Sequence, residues 1–180
     1  MLNITPLVRI YGTRRLRKLA AMNAADIQQR QLLGLVARAS RTTFGRDHDF
    51  KSIRSVTEFQ ARVPLRRYED FQERYWGDAF PDLRGVTWPS RVPYLAVTSG
   101  TTSGRTKYIP CTNEMISSNT MAGLDLICHH LASRPGSKIL GGKSFMLGGS
   151  TDFTDEAPGI RSGDLSGIMT ANLPWWFRSR

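Results

Sequence analysis

Only two of the 180 residues are cysteines, Cys111 and Cys128, and they make no Cys-x-x-Cys pair. A disulfide framework is excluded, and the two thiols fit a reducing compartment or simple burial. No apolar run approaches the roughly 20 residues that a membrane-spanning helix needs. Negative charge is also scarce: 15 Asp and Glu stand against 25 Lys and Arg, a net of +10. No acidic residue precedes Asp26, whereas Arg9, Arg14, Arg15, Arg17 and Lys18 all do. A secretory signal is not expected, because no uninterrupted apolar core of about 7–15 residues follows those charges. Internal repeats and low-complexity tracts are missing.

What remains is an ordinary globular composition, 40% hydrophobic and 22% charged, in a chain long enough for one domain with a real core. The positive excess leaves three classes open: a nucleic-acid binder, a partner of anionic substrates, or one part of a protein whose remainder is acidic. The acid-poor start fits an organelle transit segment. It fits a basic surface helix equally well, since Leu7, Val8, Ile10, Leu16 and Leu19 interleave with the arginines; the surface helix is the expectation adopted.

Residues 1–76 are expected to be mainly helical. Leu32, Leu35, Val36 and Ala39 share one face of a helix over Ala25–Ala39, which Phe44-Gly45 should stop. Ser55 and Glu58 form a capping box ahead of Phe59, and Pro64 ends that helix or opens a new turn. Tyr68, Phe71 and Tyr75 recur at helical spacing until Gly77. From residue 90 onward the pattern becomes strand, loop, strand, helix, strand, an α/β arrangement. Tyr94 to Val97 is a short buried strand and Tyr108-Ile109 a second extended piece closed by Pro110. Thr112 heads a long helix with Ile116, Thr120, Leu124, Ile127 and Leu131 on one stripe. Ser144 to Leu147 is a further strand, and Asp152 to Gly167 is expected to be loop.

Chemistry is concentrated between the first two strands, in Thr98-Ser99-Gly100-Thr101-Thr102-Ser103-Gly104-Arg105-Thr106-Lys107. Gly100 and Gly104 allow close backbone approach and inward amides. Thr98, Ser99, Thr101, Thr102 and Ser103 bring hydroxyl donors, and Arg105 and Lys107 bring charge-assisted ones. That is what a polyphosphate requires. A Walker A loop is excluded, because three residues rather than four separate the glycines, Arg105 follows the second, and Lys107 leads into Tyr108-Ile109-Pro110 instead of a helix.

This segment resembles the signature loop of adenylate-forming enzymes. The fuller resemblance is to the auxin-responsive Gretchen Hagen family of acyl-acid amido synthetases and their bacterial relatives. It extends to Thr43-Phe44-Gly45-Arg46 with His48, to Phe59, Val63-Pro64 and Tyr68-Glu69-Asp70, to Trp88-Pro89 and Val92-Pro93-Tyr94, and to Gly148-Gly149-Ser150. The resemblance implies a helical segment leading into the start of an adenylate-forming large domain. It also implies ATP and Mg²⁺ as cofactors, with a carboxylic acid and an amine or amino acid as substrates. They would react through an acyl-adenylate in the cytoplasm, with no role for nucleic acid or membrane. Thr98, Ser99, Gly100, Thr101, Thr102, Ser103, Gly104 and Arg105 would bind phosphate, and Lys107 would be the catalytic cation. The family's further nucleotide motifs and its carboxy-terminal domain do not appear, and Trp175-Trp176-Phe177 close the chain, so an incomplete version of a longer protein is expected. The runner-up from another class is a basic anion- or nucleic-acid-binding module without catalysis.

Other polar clusters carry less. Cys128, His129 and His130 are adjacent on a helix and so point apart, against a zinc site. His48 lies in a charged stretch and is expected to be solvated or capping. Met115 and Met121 are expected to fill core. Asp152, Asp155 and Glu156 are expected to be solvated.

Overall fold

The computed structural model describes residues 3–98, 106–143, 149–174 and 177. Among these are seven α-helices and one four-stranded mixed sheet, an α/β architecture. The chain divides into two compact units. No helix among the described residues is long and apolar enough to cross a membrane.

One unit comprises residues 23–112 and 153–163. Its first helix, α2 (Ala24–Ala39), starts where the Asn23 side chain accepts from the amides of Ala25 and Asp26, satisfying donors that no earlier turn can reach. Val36 and Ala39 are buried against Phe50 and Ile53, with Leu32, Leu33, Phe44 and Phe59 packed around them. Leu35 does not join them: it is 52% exposed, because the packing partners meet the Leu33 side of the stripe. Phe44-Gly45 does not stop α2 either. The helix ends at Ala39, and Phe44 and Gly45 lie inside a new short helix, α3 (Thr43–Asp47), capped by the Thr42 hydroxyl on the Gly45 amide at 3.0 Å. Glycine is required there by close approach, since a Cβ would fall on the Ala39 carbonyl oxygen. α4 (Val56–Arg62) begins as expected at Ser55, whose hydroxyl accepts from the Glu58 amide at 3.1 Å. The return bond reaches one residue further back, from the Arg54 amide to Glu58 Oε2 at 2.7 Å.

α5 (Tyr68–Phe71) runs into a π-helical turn over Gln72–Trp76. The Gly77 amide reaches back five residues to the Gln72 carbonyl at 2.7 Å. The wider turn lets Phe71 and Trp76 stack, with ring centroids 5.0 Å apart.

The sheet is ordered β2-β1-β4-β3. β1 (Tyr94–Thr98) pairs antiparallel with β2 (Lys107–Cys111) and parallel with β4 (Ile160–Gly163), which pairs antiparallel with β3 (Thr154–Ala157). Leu95 is wholly buried among Leu83, Val92 and Ile160, and each such side chain contributes roughly 1.5–3 kcal/mol of burial. Pro110 does not close β2, which continues to Cys111; on an edge strand the missing N–H removes no ladder bond. Residues 152–167 are not a loop. Ile160 and Ser162 are buried while Arg161 and Gly163 are not, a period of two that polar residues disguise, and Gly159 turns the hairpin at φ +71°.

The other unit comprises residues 1–22, 113–152 and 164–180. Within it α1 (Thr5–Ala20) packs on α6 (Asn113–Ser133). Gly12 lets the helices approach, as its Cβ would lie 3.2 Å from Cys128 Cβ. Arg15 forks onto Asp125 at 2.7 and 2.8 Å, and Arg9 donates to the Leu131 carbonyl and to that of Ser137 at 3.1 Å. Leu7 and Ile10 remain 65% and 59% exposed, so α1 is a surface helix. Ile116, Cys128 and Leu131 are buried on α6. Met115 and Met121 are exposed rather than core, since they flank that stripe. α7 (Leu165–Ala171) follows β4 and buries Ile168. The strand expected at 144–147 and the tryptophans 175 and 176 lie outside the described residues.

Candidate functional site

The Ser/Thr/Gly segment begins and ends at a paired position: Thr98, last in β1, faces Lys107, first in β2. An antiparallel pair therefore closes both ends of the segment onto each other. Thr98 and Thr106 are exposed at its entry and exit. Ser99, Gly100, Thr101, Thr102, Ser103, Gly104 and Arg105, expected to bind phosphate, lie outside the described residues.

Lys107 is gripped from α5. Its Nζ is 2.6 Å from Glu69 Oε1 and lies 5.1 Å from the centroid of the Tyr68 ring, so the ammonium has a carboxylate partner and an aromatic face together. The next residue is held too. The Tyr108 amide donates to the Tyr68 hydroxyl at 3.0 Å, and that hydroxyl donates to Gln72 Oε1 at 3.1 Å. Tyr68-Glu69 thus clamps Lys107-Tyr108 and occupies an edge amide that would otherwise be open to water. The hydrogen bond from Lys107, reinforced by a backbone bond at Glu69 and by the charge, holds the Glu69 carboxyl below its usual range.

Beside this pair is a cavity of about 590 Å³, walled by Tyr68, Phe80 and Tyr108 and lined by three charged residues, Lys107, Glu69 and Glu73. Phe80 and Tyr108 meet edge to face at 5.1 Å. The result is an aromatic-walled space with one ammonium and two carboxylates at its margin.

The other candidates are not brought here. His48 is buried rather than solvated, and of the two expected roles it takes the capping one, as the C-cap residue of α3. Its Nε2 lies 3.1 Å from an Arg66 guanidinium nitrogen and its Nδ1 2.8 Å from the Phe44 carbonyl. Because guanidinium only donates and a carbonyl only accepts, Nδ1 carries the proton, and both ring nitrogens are engaged in structure. Cys128 faces Gly12, and burial raises its thiol pKa, as it does for Cys111. His130 pairs with the Ser137 hydroxyl at 2.9 Å. Among the described residues no three His, Cys, Asp or Glu side chains are grouped to hold a metal ion.

Tyr68 and Glu69 are the residues whose role was not anticipated. Tyr68 meets Tyr108 from 40 positions away, and local patterns are silent about such a distance. Two signals were available: Tyr68-Glu69-Asp70 is among the stretches that carry the family resemblance, and Glu69 is a carboxylate in the first turn of a helix, which more often answers the helix dipole.

A family model described as the GH3 family N-terminal domain matches residues 14–179. No curated protein matches the chain.

Proposed function

The chain belongs to the auxin-responsive GH3 family of acyl-acid amido synthetases, and we propose from that membership that it supplies the phosphate-binding part of an ATP-dependent ligase. The observation that carries the proposal is the pairing of Thr98 with Lys107, which makes a hydroxyl- and glycine-rich segment a closed loop with a cation at its exit.

In this proposal residues 1–180 are the amino-terminal part of a single adenylate-forming domain, working in the cytoplasm. Thr98, Ser99, Gly100, Thr101, Thr102, Ser103 and Gly104 cradle the phosphates of ATP. Lys107, seconded by Arg105, neutralises the charge that builds as pyrophosphate leaves. Mg²⁺, brought in with the nucleotide, would supply further charge neutralisation. The acid is activated as an acyl-adenylate, and an amine or amino acid then displaces AMP to form an amide.

The test is acid-dependent ATP–pyrophosphate exchange in a version of the protein that includes the rest of the nucleotide site. Lys107→Ala lowers exchange about 10²–10³-fold, the usual loss for one electrostatic stabiliser, with an unchanged circular dichroism spectrum. Exchange at the wild-type rate removes Lys107 from the chemistry.

A further inference from the structure

Lys107 already has an anion. Its ammonium sits 2.6 Å from Glu69 and over the Tyr68 ring, and the lysine side chain is 25% exposed against 56% for that of Glu69. One ammonium at that distance from a carboxylate cannot offer the same donors in full to a phosphate oxygen. We propose that Glu69 is the resident counter-anion that Lys107 exchanges for phosphate, and that it thereby sets the affinity of the loop for polyphosphate; this rests on the phosphate-loop proposal above.

Three observations favour exchange over a fixed structural pair. First, the backbone does not depend on the pair: β2 is fixed by its register with β1 and by the Tyr68 hydroxyl on the Tyr108 amide, so the side chain of Lys107 can leave without the strand moving. Second, Glu69 is the more exposed partner, so it loses little solvation if left alone. Third, the cavity beside the pair leaves room for a lysine side chain to swing, and its polar wall includes Gln72, Thr106 and a second carboxylate, Glu73. A carboxylate so close also repels any incoming polyphosphate until the lysine has turned to it. Glu69 is a positioning residue: it acts through Lys107 and need not touch the nucleotide.

The experiment has two readouts on this chain in wild-type, Glu69→Gln, Glu69→Asp and Lys107→Ala forms. One is acylation of Lys107 by an amine-reactive ester, followed by peptide mass spectrometry. The other is calorimetric titration with magnesium pyrophosphate. Losing the carboxylate frees the amine, so Lys107 acylates faster in Glu69→Gln, while Glu69→Asp keeps most of the protection. Pyrophosphate binds about two- to fivefold more tightly to Glu69→Gln, in line with the modest worth of an exposed ion pair, and much more weakly to Lys107→Ala. A merely structural Glu69 would leave Lys107 reactivity unchanged or weaken binding in both Glu69 variants alike. If pyrophosphate binds the wild type and Glu69→Gln binds it no better, the exchange is overturned while the phosphate loop stands. If the wild type binds no pyrophosphate at all, the loop proposal falls and the exchange with it.

Discussion

Two acid–base pairs of similar length are built for different work. Arg15 grips Asp125 through two parallel bonds of 2.7 and 2.8 Å, both side chains four-fifths covered at 23% and 20% exposure. Lys107 meets Glu69 through a single point charge at the rim of a cavity. A guanidinium fork fixes orientation, whereas an ammonium can turn to another acceptor. The forked pair therefore belongs to stability. Arg15, mainly through its hydrogen bond, holds the Asp125 carboxyl below its usual range. A depressed folded-state pKa stabilises above the unfolded value near 3.9, and the contribution disappears as pH falls through the lower folded value. Asp125→Asn should accordingly cost about 1 kcal/mol in urea unfolding at pH 7, and the gap from wild type should close as the pH drops below the carboxylate range. A gap that persists undiminished at pH 2 would mean that the pair contributes through shape and not charge. Neither pair was legible in the sequence, because Arg15 and Asp125 are 110 positions apart and nothing local couples them.

At the scale of elements, glycine shows what local pattern conveys and what it hides. Gly34 lies inside α2 with nothing within 4 Å of where a Cβ would sit; Gly45 lies inside α3 with the Ala39 carbonyl oxygen in that place. From sequence, Phe44-Gly45 looked like the stop of one helix, because a glycine that ends a helix and one that admits a neighbouring carbonyl are spelled alike. The difference is testable. Gly45→Ala should destabilise the protein by about 1–3 kcal/mol, since backbone must move to admit the methyl, while Gly34→Ala should stabilise it by about 0.4–1 kcal/mol through the unfolded state and helix propensity. Urea midpoints of the two variants should move in opposite directions; movement in the same direction would place the tight corner elsewhere. The elements that were legible, α2, α4, β1 and α6, each carry an uninterrupted periodicity or a cap. β3 and β4 were not, because their residues Thr154-Asp155-Glu156-Ala157 and Ile160-Arg161-Ser162-Gly163 are polar on the outer face and too short to establish a period.

For the molecule as a whole, the formal +10 does not say how the cations are arranged. Arg15, Arg62 and Lys107 are paired with carboxylates at 2.6–2.9 Å. Arg9, Arg46 and Arg54 donate to backbone carbonyls. Those guanidinium groups keep their charge but are held where their own chain needs them. The two function classes left open by composition then separate by salt. Duplex DNA held by scattered cations releases counterions in proportion to the phosphates neutralised, and its apparent affinity falls with a log–log slope of about −0.9 for each. Pyrophosphate held by a closed loop and one lysine engages few charges and depends on Mg²⁺. Raising salt from about 50 to 200 mM should abolish DNA retention in a fluorescence-anisotropy titration, because non-specific binding by scattered cations already lies near 10⁻⁴–10⁻⁶ M at physiological salt. Magnesium pyrophosphate affinity should change only a few-fold over the same range. Sub-micromolar DNA binding that survives 200 mM salt would reverse the ranking, since it requires an ordered row of cations that the paired arginines do not provide.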